Sequence, residues 1–180
     1  MKKIFLLYLL FYYSIPSFSQ NPIKKTLTWA FFRNDRPVGE TMDALTWYKI
    51  SYSGSIIGSN SVTVKMNFKT SLDLDTSKSF FNSNKRFRDT KLLKHEQGHA
   101  DIGFIYACKL RDSLNRTVFV KNKIPVTIDK VFKSIYEEMN RKNREYDIET
   151  DHGKNEKVQE RWNLYFIELF KRATEVKRLP

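Results

Sequence analysis

Between Thr26 and Phe81, apolar and polar residues alternate in short runs, a period of two that predicts strands. The runs LTWAFF (27–32), ALTWYKISYSGSII (44–57) and SVTVKMNFKTSL (61–72) are rich in β-branched and aromatic residues. Val62, Val64, Met66 and Phe68 fall on one side of the last run. Arg36-Pro37-Val38-Gly39 and Gly58-Ser59-Asn60 supply the breaks, so this half predicts a small twisted sheet. From about Asp89 the period becomes helical. The first helix has Asp89 and Thr90 as capping candidates and runs to about Leu114, with Lys109 and Arg111 in its last turns. A second is predicted over 127–144, where Ile128, Val131, Phe132, Ile135 and Met139 share a stripe. A third, over 155–177, places Val158, Trp162, Phe166, Leu169 and Ala173 on one face, with Tyr165 and Phe170 beside it. These stripes read as core. Strands followed by helices, with no repeat, low-complexity tract or linker, predict an α+β fold in one domain over 20–180.

The first twenty residues follow a different rule. MKKIFLLYLLFYYSIPSFSQ has a basic pair at Lys2 and Lys3, an apolar run from Ile4 to Tyr13 and small residues at Ser17 and Ser19. That is the layout of a secretory signal peptide, here 1–19. The run is far shorter than the roughly 20 residues a membrane-spanning helix needs. An exported protein, periplasmic or secreted, with no transmembrane anchor after cleavage is therefore expected. No cysteine lies near the cleavage point, which argues against a lipid-anchored form. The single cysteine, Cys108, cannot form an internal disulfide and reads as a small buried hydrophobe.

Charge changes the picture less than its size suggests. The formal net charge is +12, and loss of Lys2 and Lys3 leaves +10. Basic residues are interleaved with acids, as in RKNREYDIETD (141–151), and no aromatic-plus-basic recognition motif accompanies them. No specific nucleic-acid role is expected; a solvated face, or attraction to an anionic envelope, is the simpler reading.

The candidate chemistry sits early in the first predicted helix, at His95-Glu96-Gln97-Gly98-His99. A helix turns about 100° per residue, so two histidines four apart lie roughly 40° apart on one face. They can grip one ion. H-E-x-x-H on a helix is the zinc pattern of metallopeptidases: both imidazoles bind the metal, and Glu96 serves as general base towards the water that zinc acidifies. Two of the chain's three histidines fall in this motif. A tetrahedral catalytic zinc needs a third protein ligand, and the third histidine, His152, stands before Gly153 in a turn-forming segment. His152 is the preferred third ligand, with Asp147, Glu149 and Asp151 as nearby oxygen rivals and Glu137 or Glu138 as a thermolysin-like alternative. Ile102 and Ile105 stand where an extended metzincin pattern would want Gly and His.

HEQGHADI, YACKLR and YDIETDHG followed by QERW resemble the bacterial secreted zinc-dependent proteases grouped as DUF922, whose pattern reads approximately HEQxHFD and later YDxxTxHG. His95, Glu96, His99 and His152 match it position by position. The resemblance implies a zincin-like fold and a peptidase activity. Ala100 departs from the usual aromatic, and Gly103-Phe104 from a frequent Ala-Glu.

Tyr146, six residues before His152, is the candidate for stabilising the oxyanion. Asp147 or Asp101 is expected to orient a histidine through its second ring nitrogen. An extended peptide or protein substrate is expected along a strand edge, with 67–74 as the guessed strand. The expectation is thus an exported Zn2+ peptidase, oligomeric state unspecified. The alternatives are a non-catalytic zinc-stabilised envelope or binding module, and a zinc amidase acting on cell-wall peptides.

Overall fold

The period-two half of the chain folds into two small sheets rather than one. The computed structural model describes residues 22–85 and 90–174; the expected signal peptide, the capping candidate Asp89 and residues 175–177 lie outside the described residues. The strands are β1 (Asn34–Asp35), β2 (Ala44–Leu45), β3 (Tyr48–Ser59), β4 (Thr63–Leu74), β5 (Phe80–Phe81) and β6 (Val118–Val120). One sheet has the order β1-β5-β2, parallel then antiparallel, and the other the order β3-β4-β6, antiparallel throughout.

Trp47 separates the two sheets. Its N–H donates to Ser79 Oγ at 2.9 Å and its carbonyl accepts from the Asp75 N–H at 3.0 Å. Because those groups are satisfied by the approach to β5, the strand predicted over 44–57 divides into β2 and β3, which join different sheets. The strand predicted over 27–32 is also corrected. Trp29–Phe31 form one 3-10 turn, and the rings of Trp29, Phe31, Phe32 and Phe81 cluster with centroids 5.1 to 6.2 Å apart. The Leu27 N–H donates at 2.7 Å to Gln97 Oε1, on the first helix, in place of a strand partner.

Helix α1 (Thr90–Arg116) crosses behind β4, and its apolar residues Ile102, Ala107, Leu110 and Leu114 are buried with Val64, Phe68 and Leu72 of β4 in one core. The opposite side of α1 packs on α2 (Ile124–Thr150) and α3 (Glu156–Thr174), whose Met139, Tyr146, Trp162 and Phe166 complete that core. Helix α2 is longer than the predicted 127–144. Pro125 sits in its first turn, where its missing N–H costs nothing. At the other end the stripe of Ile135 and Met139 continues through Tyr146 and Thr150, both fully buried. The helix ends in a left-handed turn at Asp151, His152 and Gly153, with φ of 47°, 52° and 84°. Gly153 tolerates that conformation freely, and a Cβ there would also lie 2.8 Å from His95 Cβ.

Candidate metal centre

His95 and His99 sit one turn apart on α1, and their Nε2 atoms are 3.2 Å from each other. The other nitrogen of each ring is held by α2. His99 Nδ1 is 2.8 Å from Asn143 Oδ1, while Asn143 Nδ2 donates to Tyr48 Oη at 2.7 Å and to the Met139 carbonyl at 3.1 Å. His95 Nδ1 is 3.3 Å from Thr150 Oγ1, whose own proton goes to the Tyr146 carbonyl at 2.6 Å. Asn143 Oδ1 and Thr150 Oγ1 are thus the accepting atoms, and this network assigns the proton to Nδ1 on both rings. Both Nε2 atoms then present bare lone pairs.

Those lone pairs face a carboxylate. Asp147 Oδ1 lies 3.1 Å from His95 Nε2 and 2.9 Å from His99 Nε2. Three acceptors therefore converge with no donor among them, an arrangement that repels itself unless a cation sits between them. In the metal-free protein a proton fills that role. Burial alone would lower the pKa of His99, but Asp147, Glu96 and Asn143 outweigh it and raise it to about 9. The carboxyl of Asp147 resists burial in the same way, and the two imidazoles hold it well below the usual carboxylate range.

The triangle fits a divalent cation. Zinc bonds of about 2.0 to 2.2 Å in tetrahedral array place neighbouring ligand atoms roughly 3.3 to 3.6 Å apart. The observed edges of 3.2, 3.1 and 2.9 Å are shorter than that, so the three atoms would spread by a few tenths of an ångström around the ion. Two imidazoles and a carboxylate are also a donor set that zinc accepts.

Glu96 and His152 flank the triangle. Glu96 is only 3% exposed, and Thr46 Oγ1 donates to its Oε2 at 2.6 Å, which leaves Oε1 for other work. A ligand atom of Glu96 lies within 4.8 Å of those of both motif histidines. His152 stands at the rim with its side chain 64% exposed and its Nδ1 3.7 Å from Asp147 Oδ1. Its ligand atom lies within 4.8 Å of those of His95 and Asp147. The centre opens into a cleft of about 440 Å³, walled by 41–48 on one side and by Tyr136, Met139, Asn140 and Asn143 of α2 on the other.

Several sequence expectations change on this geometry. Asp147 does not orient a histidine through its second nitrogen: it contacts the Nε2 atoms that face each other, and Asn143 and Thr150 hold the Nδ1 atoms instead. Tyr146 does not reach the cleft as an oxyanion donor. It is fully buried, its ring stacks on His95 at 4.7 Å, and its hydroxyl donates to the His95 carbonyl at 3.1 Å. Gly98 makes room for it, since a Cβ there would lie 2.1 Å from the Tyr146 oxygen. Asp101 is also not among the atoms around the histidines; it accepts from Gln97 Nε2 at 2.8 Å and pairs with Lys24 at 3.5 Å. Glu149 accepts from Trp162 Nε1 at 2.8 Å, and Glu138 pairs with Lys109, so neither faces the triangle. The strand 67–74 does not wall the cleft; the segment 41–48 does.

The sequence profile of a family of bacterial proteins of unknown function, DUF922, matches residues 12–153. The chain belongs to this family. No curated protein and no solved structure matches it. The DUF922 match spans both sheets, α1 and α2, and with them His95, Glu96, His99, Asp147 and His152. Three residues of the DUF922 centre escaped the sequence reading: Thr46, Asn143 and Thr150. A usable signal existed for two of them. Asn143, Asp147 and Thr150 recur at helical spacing and continue the face that carries Met139, so they are polar residues at core-facing positions. Thr46 had no such signal, because its approach to Glu96 depends on a contact fifty residues away in sequence.

Proposed function

We propose that this DUF922 protein is an exported, zincin-like, zinc-dependent peptidase in which His95, His99 and Asp147 hold the metal and Glu96 carries the proton. The observation that supports this most is the convergence of three acceptor atoms beside a buried carboxylate that is not itself part of the triangle. A purely structural zinc site has no use for that extra carboxylate.

When bound, zinc supplies Lewis acidity, which makes water more acidic and a carbonyl more electrophilic. The remaining work belongs to the chain. Glu96 takes a proton at Oε1 from water entering the cleft and delivers it to the departing amine, while Thr46 fixes the carboxylate through Oε2. Asn143 and Thr150 keep both imidazoles in the ligating tautomer. Segment 41–48 receives the substrate. Strand β2 is at the edge of its sheet, and the Asn82 N–H donates to the Asp43 carbonyl, so Asp43 and Leu45 face β5. The backbone groups of Ala44 alternate to the other edge, beside the cleft, where an extended peptide can add as a further strand.

Substitution of Glu96 by Gln tests the reading. Zinc content by mass spectrometry is expected to stay at one equivalent, while hydrolysis of an unfolded protein substrate falls by about 10²- to 10⁴-fold. Undiminished turnover removes Glu96 from its role. The position of His152 favours one second reading, a four-ligand site that is closed and non-catalytic. In the cobalt-substituted protein, a visible spectrum unaltered by His152→Ala keeps His152 out of the shell. An altered spectrum, with no hydrolysis by the unsubstituted protein, selects the closed site.

A further inference from the structure

The end of the β3-β4-β6 sheet remote from the metal centre is apolar at its tip and basic around it. From Ser53 to Ser59, β3 is exposed on both faces and forms the edge of its sheet. Ile56, Ile57 and Val62 at the hairpin tip are 58 to 60% exposed, and Val118 beside them 65%. Strand register makes this one surface. Gly58 pairs with Lys65 and Lys65 with Val118, and the Lys121 N–H donates to the Val62 carbonyl at 3.0 Å.

The charge of this surface has one sign. The stretches 50–72 and 113–128, which supply it, contain no Asp or Glu, whereas Lys65, Lys69, Arg116, Lys121 and Lys123 all fall within them. All five are exposed, and none forms an ion pair among the described residues. Elsewhere lysines are commonly matched, as in Lys91 with Glu156, Lys94 with Glu160 and Lys109 with Glu138.

We propose that this end of the molecule docks on an anionic lipid surface, with Ile56, Ile57 and Val62 entering the headgroup layer and the surrounding cations pairing with lipid phosphates. The chemistry selects this occupant. A second copy would bring five cations against five like charges, and a nucleic acid has no use for an aliphatic tip where bases would need stacking partners. An apolar tip ringed by cations meets both of its needs at a negatively charged bilayer. Insertion is shallow, because the outer edge of β3 carries backbone N–H and C=O groups that hydrocarbon cannot satisfy.

A reporter placed at the tip tests this. Cys108 is buried, so Ser61→Cys offers a single reactive thiol for an environment-sensitive fluorophore on the full chain. The apolar N-terminal run is present in every variant, so differences between variants report the hairpin. Emission is expected to shift to the blue on vesicles of mixed phosphatidylglycerol and phosphatidylcholine, not on phosphatidylcholine alone, and to revert in molar salt. Lys121→Gln with Lys123→Gln is expected to weaken partitioning about 25-fold, near fivefold per cation. Ile56→Ser with Ile57→Ser is expected to weaken it about tenfold or more, with zinc content and circular dichroism unchanged. An unshifted reporter on protein that sediments with the vesicles overturns the proposal, as does equal binding to neutral vesicles. A shift that needs no lipid and tracks protein concentration assigns the surface to self-association instead, and equally overturns it.

Discussion

Each motif histidine is gripped on one side so that it is free on the other. Asn143 and Thr150 accept the Nδ1 protons of His99 and His95, and neither touches the metal-facing atoms. Outer hydrogen bonds of this kind commonly tune metal affinity by about 10- to 100-fold. Asn143→Ala and Thr150→Val are each expected to weaken zinc binding by that factor in a competition titration with a chromogenic chelator, while leaving Glu96 in place. The same triangle sets a pH dependence. In the metal-free protein His99 is raised from an ordinary 6.5 to about 9, so its protonated form stabilises the fold. That stability is complete below about pH 6.5 and is lost as pH rises through about 9. The melting temperature of the metal-free protein is expected to fall by about 5 °C or more over that interval, and zinc loading is expected to abolish the fall. A flat profile in the metal-free protein would show that no proton bridges the three acceptors. Ala100 is buried with Phe32 and Phe81, and a Cβ at Gly103 would lie 2.7 Å from the Tyr48 ring whose oxygen accepts from Asn143.

At the scale of elements, the triangle of His95, His99 and Asp147 joins two helices, with two corners on α1 and one on α2. If zinc binds there as proposed, removing it is expected to loosen the last turns of α2 before anything else. Hydrogen exchange in the presence of a chelator is expected to show lost protection from Asn143 to Gly153, with the centre of α1 and β4 unchanged. Uniform loss of protection would mean that the metal supports the whole fold rather than this junction. The same geometry decides which elements are legible in the sequence. Helices α1 and α3 were legible because an apolar stripe runs for many turns, and the strand-turn-strand of β3 and β4 because alternation and a Gly-Ser-Asn turn coincide. The end of α2 was not. Beyond Met139 its core-facing positions pass to Asn143, Asp147 and Thr150, with Tyr146 the one aromatic among them, so the apolar period fades where the chemistry begins. Asp147 therefore falls outside the predicted helix 127–144 and stands in the sequence only as an oxygen rival to His152 for the third ligand. Strands of two residues such as β1, β2 and β5 carry no alternation at all, and only long-range pairing defines them.

For the whole molecule, no helix among the described residues is long and apolar enough to cross a membrane. Positive charge is distributed unevenly: the stretches that meet at the β3-β4 hairpin and β6 carry cations and no carboxylate, whereas elsewhere the two signs are interleaved. Between that end and the metal centre runs α1, a single uninterrupted helix. His95 lies near its start, and near its finish Asn115 accepts the Phe68 N–H of β4 at 2.6 Å and donates to the Phe68 carbonyl at 3.1 Å. A helix rises about 1.5 Å per residue, so those two points are roughly 30 Å apart along a stiff rod. Helix α1 is therefore a ruler as well as a scaffold. A molecule held at a surface by its hairpin would work at a fixed height above it, and the polypeptides it could cut would be chosen first by how far they reach.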